Sequence, residues 1–124
     1  MDLFYRRYAC RLEPWPGWLN RALSKMDVEA NAAMWGPPGA PEPGPLATLD
    51  LRPRLGGIRA PTLVIAGRHD GMTAGQEHEI RAGIPNSELA LFEESSHYPF
   101  AEEPGRFLAT LDDFLARVEG DTGP

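Results

Sequence analysis

Cysteine, positive charge and long apolar runs are all scarce in this sequence of 124 residues. Cys10 is its one cysteine, so the chain forms no internal disulfide, which favours a reducing, cytoplasmic location. Lys and Arg number 12 against 18 Asp and Glu, and the resulting net charge of −6 argues against nucleic-acid binding. The longest apolar run, Leu63–Ala66, is far shorter than a membrane span, and no signal-peptide pattern is present. These absences predict a protein with neither nucleic-acid nor membrane partners.

Glycine and proline, in contrast, are abundant and concentrated in one place. Residues 36–45, GPPGAPEPGP, contain eight Gly or Pro, which disfavour both helix and strand. We expect this stretch to be the linker that ends an N-terminal segment, residues 1–45, and precedes a differently built unit, residues 46–120. Residues 121–124 are expected to be a frayed tail.

The N-terminal segment is predicted to be helical through about residue 35, because apolar residues recur at spacings of three and four. The residues in this pattern are Leu19, Leu23, Met26, Ala30, Ala33 and Met34. The segment also holds six aromatic residues, Phe4, Tyr5, Tyr8, Trp15, Trp18 and Trp35. Two interpretations remain open: a helical face packed in a core, or a helical lid whose aromatic side chains line a substrate pocket.

The second unit alternates strands and helices. A β-branched, almost wholly apolar run at 61–67 predicts a central parallel strand, and residues 87–93, SELALFE, are a second strand candidate. Between them, Thr73 as N-cap with Gln76 predicts a helix through about Arg81, ended by residues 83–85. A final helix begins near Pro104 and ends near Gly120. Its continuous apolar stripe consists of Phe107, Leu108, Leu111, Phe114, Leu115 and Val118. This order predicts an α/β fold with a βαβ unit and a covering helix.

Two candidate chemical groups follow the two strands directly. Asp70 comes just after the first strand and His97 just after the second. Because the carboxyl ends of neighbouring parallel strands share one crevice, we predict that these side chains meet at the rim of the sheet. A carboxylate that accepts a hydrogen bond from one imidazole nitrogen leaves the other nitrogen free to act as a base.

Less specific interpretations of the same residues also exist. Asp70 as a helix cap and His97 as an ordinary loop histidine account equally well for the spacing. A metal site built from His69, Asp70 and His97 ranks lower, because adjacent residues of an extended segment point in opposite directions. His78 is expected on a solvated helix face.

Taken together, the motifs resemble a known family. PTLVIAGRHDGMT (61–73) and IPNSELALFEESSHYPFAEEPGRFLATLDDFL (84–115) resemble the C-terminal part of α/β-hydrolase enzymes, most closely the proline iminopeptidases. Residues 34–37 and 44–50 look like the end of that family's helical cap and its return to the core, so the likeness spans about residues 15–118. It implies a partial helical cap over 1–45, followed by the last two parallel strands of the fold and their helices.

The resemblance also implies an activity. Proline iminopeptidases release N-terminal proline from small peptides or amides through a Ser-His-Asp triad, without a metal or organic cofactor. The family's G-R-x-D and S-S-H motifs match Asp70 as the triad acid and His97 as the triad histidine. The family's anchor for the substrate amino group is a glutamate, whereas the matching position here is Gly39, with Glu42 three residues on. The substrate therefore stays open among prolyl peptides, other amides and esters.

No nucleophile is identified in this chain. Two positions before Ser24, Ser87, Ser95 and Ser96 stand Ala22, Pro85, Glu93 and Glu94, so the G-x-S-x-G elbow is absent. Ser96 is adjacent to His97, and residues adjacent at a strand end rarely face each other. Cys10 is expected to be a half-buried apolar group of a cap helix. We therefore expect the isolated chain to be inactive.

The predicted sheet has a further consequence. Two parallel strands are too few for independent stability, and an uncovered apolar edge invites association. We expect a truncated product of a longer gene that needs an N-terminal half or self-association. Two other hypotheses are an inactive remnant that binds a partner through its apolar strand edge, and one half of a two-chain hydrolase.

Overall fold

The computed structural model describes residues 3–72 and 74–120. The predicted N-cap Thr73 and the predicted tail at 121–124 lie outside these residues. In chain order, the described elements are helices α1 (Leu3–Tyr8), α2 (Gly17–Ser24) and α3 (Val28–Trp35), two 3₁₀ helices (Pro45–Thr48 and Arg52–Gly57), strand β1 (Thr62–Gly67), helix α4 (Ala74–Gly83), strand β2 (Ser87–Phe92), and helices α5 (Pro99–Glu102) and α6 (Pro104–Gly120).

The two strands form a parallel pair, with Thr62 opposite Ser87 and Gly67 opposite Phe92. Parallel strands need a crossover connection, and α4 supplies it while packing against both strands. The predicted strands and the α/β class are confirmed. Burial increases along β1 toward its carboxyl end, where Ala66 and Gly67 are buried while the residues before them are only half-buried. The best-protected part of the sheet is therefore the rim from which the site residues emerge.

The final helix is confirmed, and Phe107 packs it against β2 and α5. The Phe107 ring lies 6.2 Å from the ring of Phe92 on β2 and 6.0 Å from that of Phe100 on α5. The predicted apolar stripe is buried only in part, since Leu108 and Leu115 are exposed. Four residues are too few to show a helical period, so the sequence analysis did not predict α5. No helix of the described ranges has the length and hydropathy needed to cross a membrane.

The N-terminal segment is helical as predicted, but it is divided into three short helices. Pro14 and Pro16 lack backbone N–H groups, and the chain between α1 and α2 is accordingly irregular. The prediction of one continuous apolar face was wrong: Leu19 is buried, whereas Met26 and Met34 are exposed. Short, interrupted helices do not keep a common face, because each break resets the helical phase.

Candidate active site

Asp70 and His97 lie side by side at the carboxyl end of the sheet, as their positions in the sequence predicted. The Nδ1 atom of His97 is 3.0 Å from Oδ2 and 3.1 Å from Oδ1 of Asp70. The Asp70 side chain is 10% exposed and that of His97 is 47% exposed. The carboxylate is thus shielded from water while the imidazole stays accessible, which is the arrangement required of a histidine that exchanges protons.

A tight turn after β1 fixes the Asp70 carboxylate. The backbone N–H of Asp70 donates to the Gly67 carbonyl at 3.1 Å, and its Oδ1 atom accepts from the Met72 backbone N–H at 2.9 Å. The short bond to Met72 closes a local turn two residues long, ahead of α4. Asp70 therefore shapes its own loop and contacts His97 at the same time.

The strand ends approach each other so closely that only glycine fits between them. A Cβ atom on Gly67 would lie 2.6 Å from the Ser95 carbonyl oxygen, and nearer still to the carbonyl oxygen of Ser96. The backbone N–H of His69 donates to that Ser95 carbonyl at 2.9 Å. Beside this contact, Arg68 and Glu93 form an exposed ion pair across the two strand ends. Gly67 thus lets the loop that carries His97 dock against the loop that carries Asp70.

Two buried serines and two glutamates hold the loop of His97, residues 93–98. The Ser95 hydroxyl donates to Glu103 at 2.5 Å, and the Ser96 hydroxyl donates to Glu102 at 2.7 Å. Both serines are fully buried. Burial opposes ionisation of Glu103, but hydrogen bonds from Ser95 and the Glu94 backbone, together with Arg106, outweigh it and lower the Glu103 pKa. Both glutamates lie within the motif that resembles the family, but the sequence alone gives them no role.

A segment before α2, residues 8–11, ties the two loops together, and we call it the strap. The Gly71 backbone N–H donates to the Tyr8 carbonyl at 3.1 Å, and that of His97 donates to the Ala9 carbonyl at 3.0 Å. Cys10 lies in this strap and is fully buried, so its prediction as a half-buried helical residue was wrong. Burial raises the pKa of the Cys10 thiol. The strap packs here because its carbonyls satisfy amides that the loops leave open.

A recess of about 350 Å³ opens beside the pair. Aromatic side chains dominate its lining, and Asp70 and His97 are its charged or titratable members apart from the tyrosines. The aromatic residues are Phe4, Tyr5, Tyr8, Trp15 and Tyr98. Burial raises the pKa of Tyr98, which keeps this phenol neutral. Four of the six aromatics of the N-terminal segment thus face the recess, which favours the lid interpretation over the core one.

The serine hydroxyls are all engaged elsewhere. Ser24 donates to the Arg21 carbonyl at 2.9 Å and Ser87 to the Ile84 carbonyl at 2.8 Å, while Ser95 and Ser96 donate to glutamates. A hydroxyl has one proton to donate, so none of the four is placed to give it to His97.

The other candidate positions lie away from the pair. Gly39 and Glu42 are exposed in the 36–44 loop and do not line the recess, and His78 is exposed on α4. In residues 3–72 and 74–120, no three His, Cys, Asp or Glu side chains form a group able to hold a metal ion.

Comparisons with known proteins extend over nearly the whole chain. A proline iminopeptidase of Heyndrickxia coagulans is 33% identical over 95% of this chain, and the match covers 41% of that relative. The chain spans about two fifths of the length of the proline iminopeptidases that it matches. A scan against models of protein families gives no match.

Solved structures give the same result. The proline iminopeptidase of Mycobacterium smegmatis superposes with a TM-score of 0.85 at 31% identity, over 97% of this chain and 41% of that one. The structure of VinJ superposes with a TM-score of 0.83 at 32% identity, over 93% of this chain and 40% of that one. The resemblance to the proline iminopeptidases and the α/β-hydrolase fold are thus confirmed.

Proposed function

We propose that this chain, which has the fold of the C-terminal part of an α/β hydrolase and is related to the proline iminopeptidases, supplies the acid and the base of a serine-hydrolase triad. The observation that carries the proposal is the contact of 3.0 Å between His97 Nδ1 and Asp70 Oδ2. It occurs at the carboxyl rim of a parallel sheet, where ligands bind in open α/β folds.

In the proposed reaction, each of the two residues has its own step. Asp70 accepts a hydrogen bond from the Nδ1–H group, which keeps the proton on Nδ1 and leaves Nε2 unprotonated and able to take a proton from a nucleophile. The resulting imidazolium is stabilised by the shielded Asp70 carboxylate, and it then gives the Nε2 proton to the leaving amine or alcohol. The nucleophile is proposed to come from outside this chain, since each of its four serine hydroxyls donates to another acceptor. The reaction needs no metal or organic cofactor.

The proposed substrate is a small peptide or amide with an N-terminal proline or another apolar residue. The aromatic lining of the recess supports this choice, since flat apolar rings pack well against a pyrrolidine or a similar group.

The test joins this chain to the part of the Heyndrickxia coagulans enzyme that lies outside the match, and assays hydrolysis of prolyl arylamide, leucyl arylamide and an aryl ester. We expect turnover of the prolyl substrate, with kcat/KM lowered about 10⁴-fold by His97→Ala or Asp70→Asn. His78→Ala, a change at an exposed histidine of α4, is the matched control and leaves the rate unchanged. Equal rates for His97→Ala and the unmodified chimera contradict the proposal.

We also propose that the chain acts only with a complementary half or a second copy. β1 pairs with β2 alone among the described residues, and its middle residues are only half-buried. An apolar strand with one partner is an association site. Sedimentation of the 124-residue chain is expected to show an assembly larger than a monomer, and a compact, cooperatively melting monomer is the contrary result.

Prolyl arylamide turnover by this chain alone, abolished by His97→Ala, would refute its need for an external nucleophile.

A further inference from the structure

The carboxylate of Glu102, at the end of α5, receives four hydrogen bonds from two separate segments. Its Oε2 atom accepts from the backbone N–H of Ser96 at 2.9 Å and from that of Tyr98 at 3.2 Å. Its Oε1 atom accepts from the Ser96 hydroxyl at 2.7 Å and from the backbone N–H of Arg11 at 2.8 Å. One side chain thus satisfies donors of the histidine loop and of the strap.

These hydrogen bonds involve the residues on either side of His97 in the sequence. The amides before and after it, those of Ser96 and Tyr98, point to the same Glu102 oxygen, and the amide of His97 itself donates to the Ala9 carbonyl at 3.0 Å. Three consecutive amides are therefore fixed. Hydrogen bonds to an ionised acceptor are about twice as strong as neutral ones, so this anchoring restrains the backbone torsions that direct the imidazole.

We propose that Glu102 is a positioning residue: by holding the amides on both sides of His97, it directs the imidazole Nδ1 atom onto Asp70. This inference rests on the proposed role of His97 as the base. Glu102 does not touch the reacting groups, and it acts only through the loop. A purely structural role would instead lower stability and leave the imidazole with the same proton on the same nitrogen.

The two oxygens of Glu102 allow this distinction to be tested. Glu102→Gln keeps an acceptor oxygen for the backbone N–H groups of Ser96 and Tyr98. Its NH₂ group donates to the Ser96 hydroxyl oxygen, but it cannot accept from the backbone N–H of Arg11. Glu102→Ala removes every bond, and Glu102→Asp keeps the charge but withdraws it by one methylene. Glu94→Gln is the matched control, because the Glu94 carboxylate is exposed on the same loop and makes none of these bonds.

The experiment records ring ¹⁵N spectra of the full chain, with His97 identified by the loss of its signals in His97→Gln. Unmodified chain, Glu94→Gln and Glu102→Gln are expected to show a proton held on Nδ1 and bonded to Asp70. Glu102→Ala, Glu102→Asp and the reference variant Asp70→Asn are expected to lose that signature, while the signals of His78 stay unchanged.

Retention of the Nδ1 signature in a folded Glu102→Ala chain, or its loss in Glu102→Gln, overturns the proposal. If Glu102→Ala fails to fold, Glu102→Asp decides in its place, and a retained signature there overturns the proposal too. The spectra do not depend on catalysis. A chimera that is inactive while the spectra follow the expected pattern therefore refutes the proposed function and leaves the positioning role of Glu102 in place.

Discussion

Replacing Gly67 by alanine is expected to separate the two loops of the candidate site. The added Cβ would stand 2.6 Å from the Ser95 carbonyl oxygen and 2.8 Å from its carbonyl carbon, and closer still to the Ser96 carbonyl oxygen. Ordinary contact begins at 3.4 Å, so the backbone must recede by about 0.8 Å at Ser95 and by more at Ser96. Both serines are fully buried and hydrogen-bonded to glutamates, so moving this loop costs free energy.

The expected cost is at the upper end of the range for overpacking, about 3 kcal/mol of unfolding free energy, because the obstacle is backbone and not a flexible side chain. Urea unfolding of the purified chain measures it. Gly105→Ala is the matched control: nothing lies within 4 Å of a Cβ there, and the residue lies in the first turn of α6. Alanine is therefore expected to leave the stability unchanged or to raise it by less than about 1 kcal/mol at that position.

A second measurement links this change to the site. A shift of this size at Ser95 and Ser96 moves His97, so the Nδ1 contact with Asp70 should be lost from the ring ¹⁵N spectrum. Gly67→Ala that unfolds within about 0.5 kcal/mol of the unmodified chain and keeps the Nδ1 signature would refute the reasoning.

Two further predictions concern the elements around the pair. Cys10 is fully buried within the strap, and its thiol pKa is raised. A thiol reagent is therefore expected to modify Cys10 only when the strap opens. If Cys10 in the native chain is labelled as fast as a free thiol, this prediction is wrong. The pKa of Glu103 is lowered in the folded chain, so its contribution to stability is complete above its unfolded pKa of about 4.5 and is lost as the pH falls through the folded value. Urea unfolding at pH values from about 6 to 3 should therefore show a smaller decrease of the unfolding free energy for Glu103→Gln than for the unmodified chain. Equal decreases in the two chains would contradict this prediction.

Patterns of neighbouring residues account for the elements that the sequence predicted well. The apolar run Leu63–Ala66, between Pro61 and Gly67, has the composition of a buried strand. In α6, apolar residues recur at helical spacing over most of the helix, which indicates a helix. The side-by-side position of Asp70 and His97 also followed from the sequence, since parallel strands joined by a crossover bring their carboxyl ends to one rim.

Contacts between distant residues decided the rest. The helices before residue 36 do not share one face, and the strap that ties Tyr8 and Ala9 to the site loops depends on backbone carbonyls, which look alike in every sequence. Glu102 likewise appears in the sequence as one more acidic residue near a helix start. Its importance comes from amides that only folding brings to it, because a hydrogen bond requires donor and acceptor in the same place and sequence order does not supply that. The sequence by itself thus determined the α/β class and the meeting of an acid with an imidazole, and the tertiary structure alone decided what holds them there.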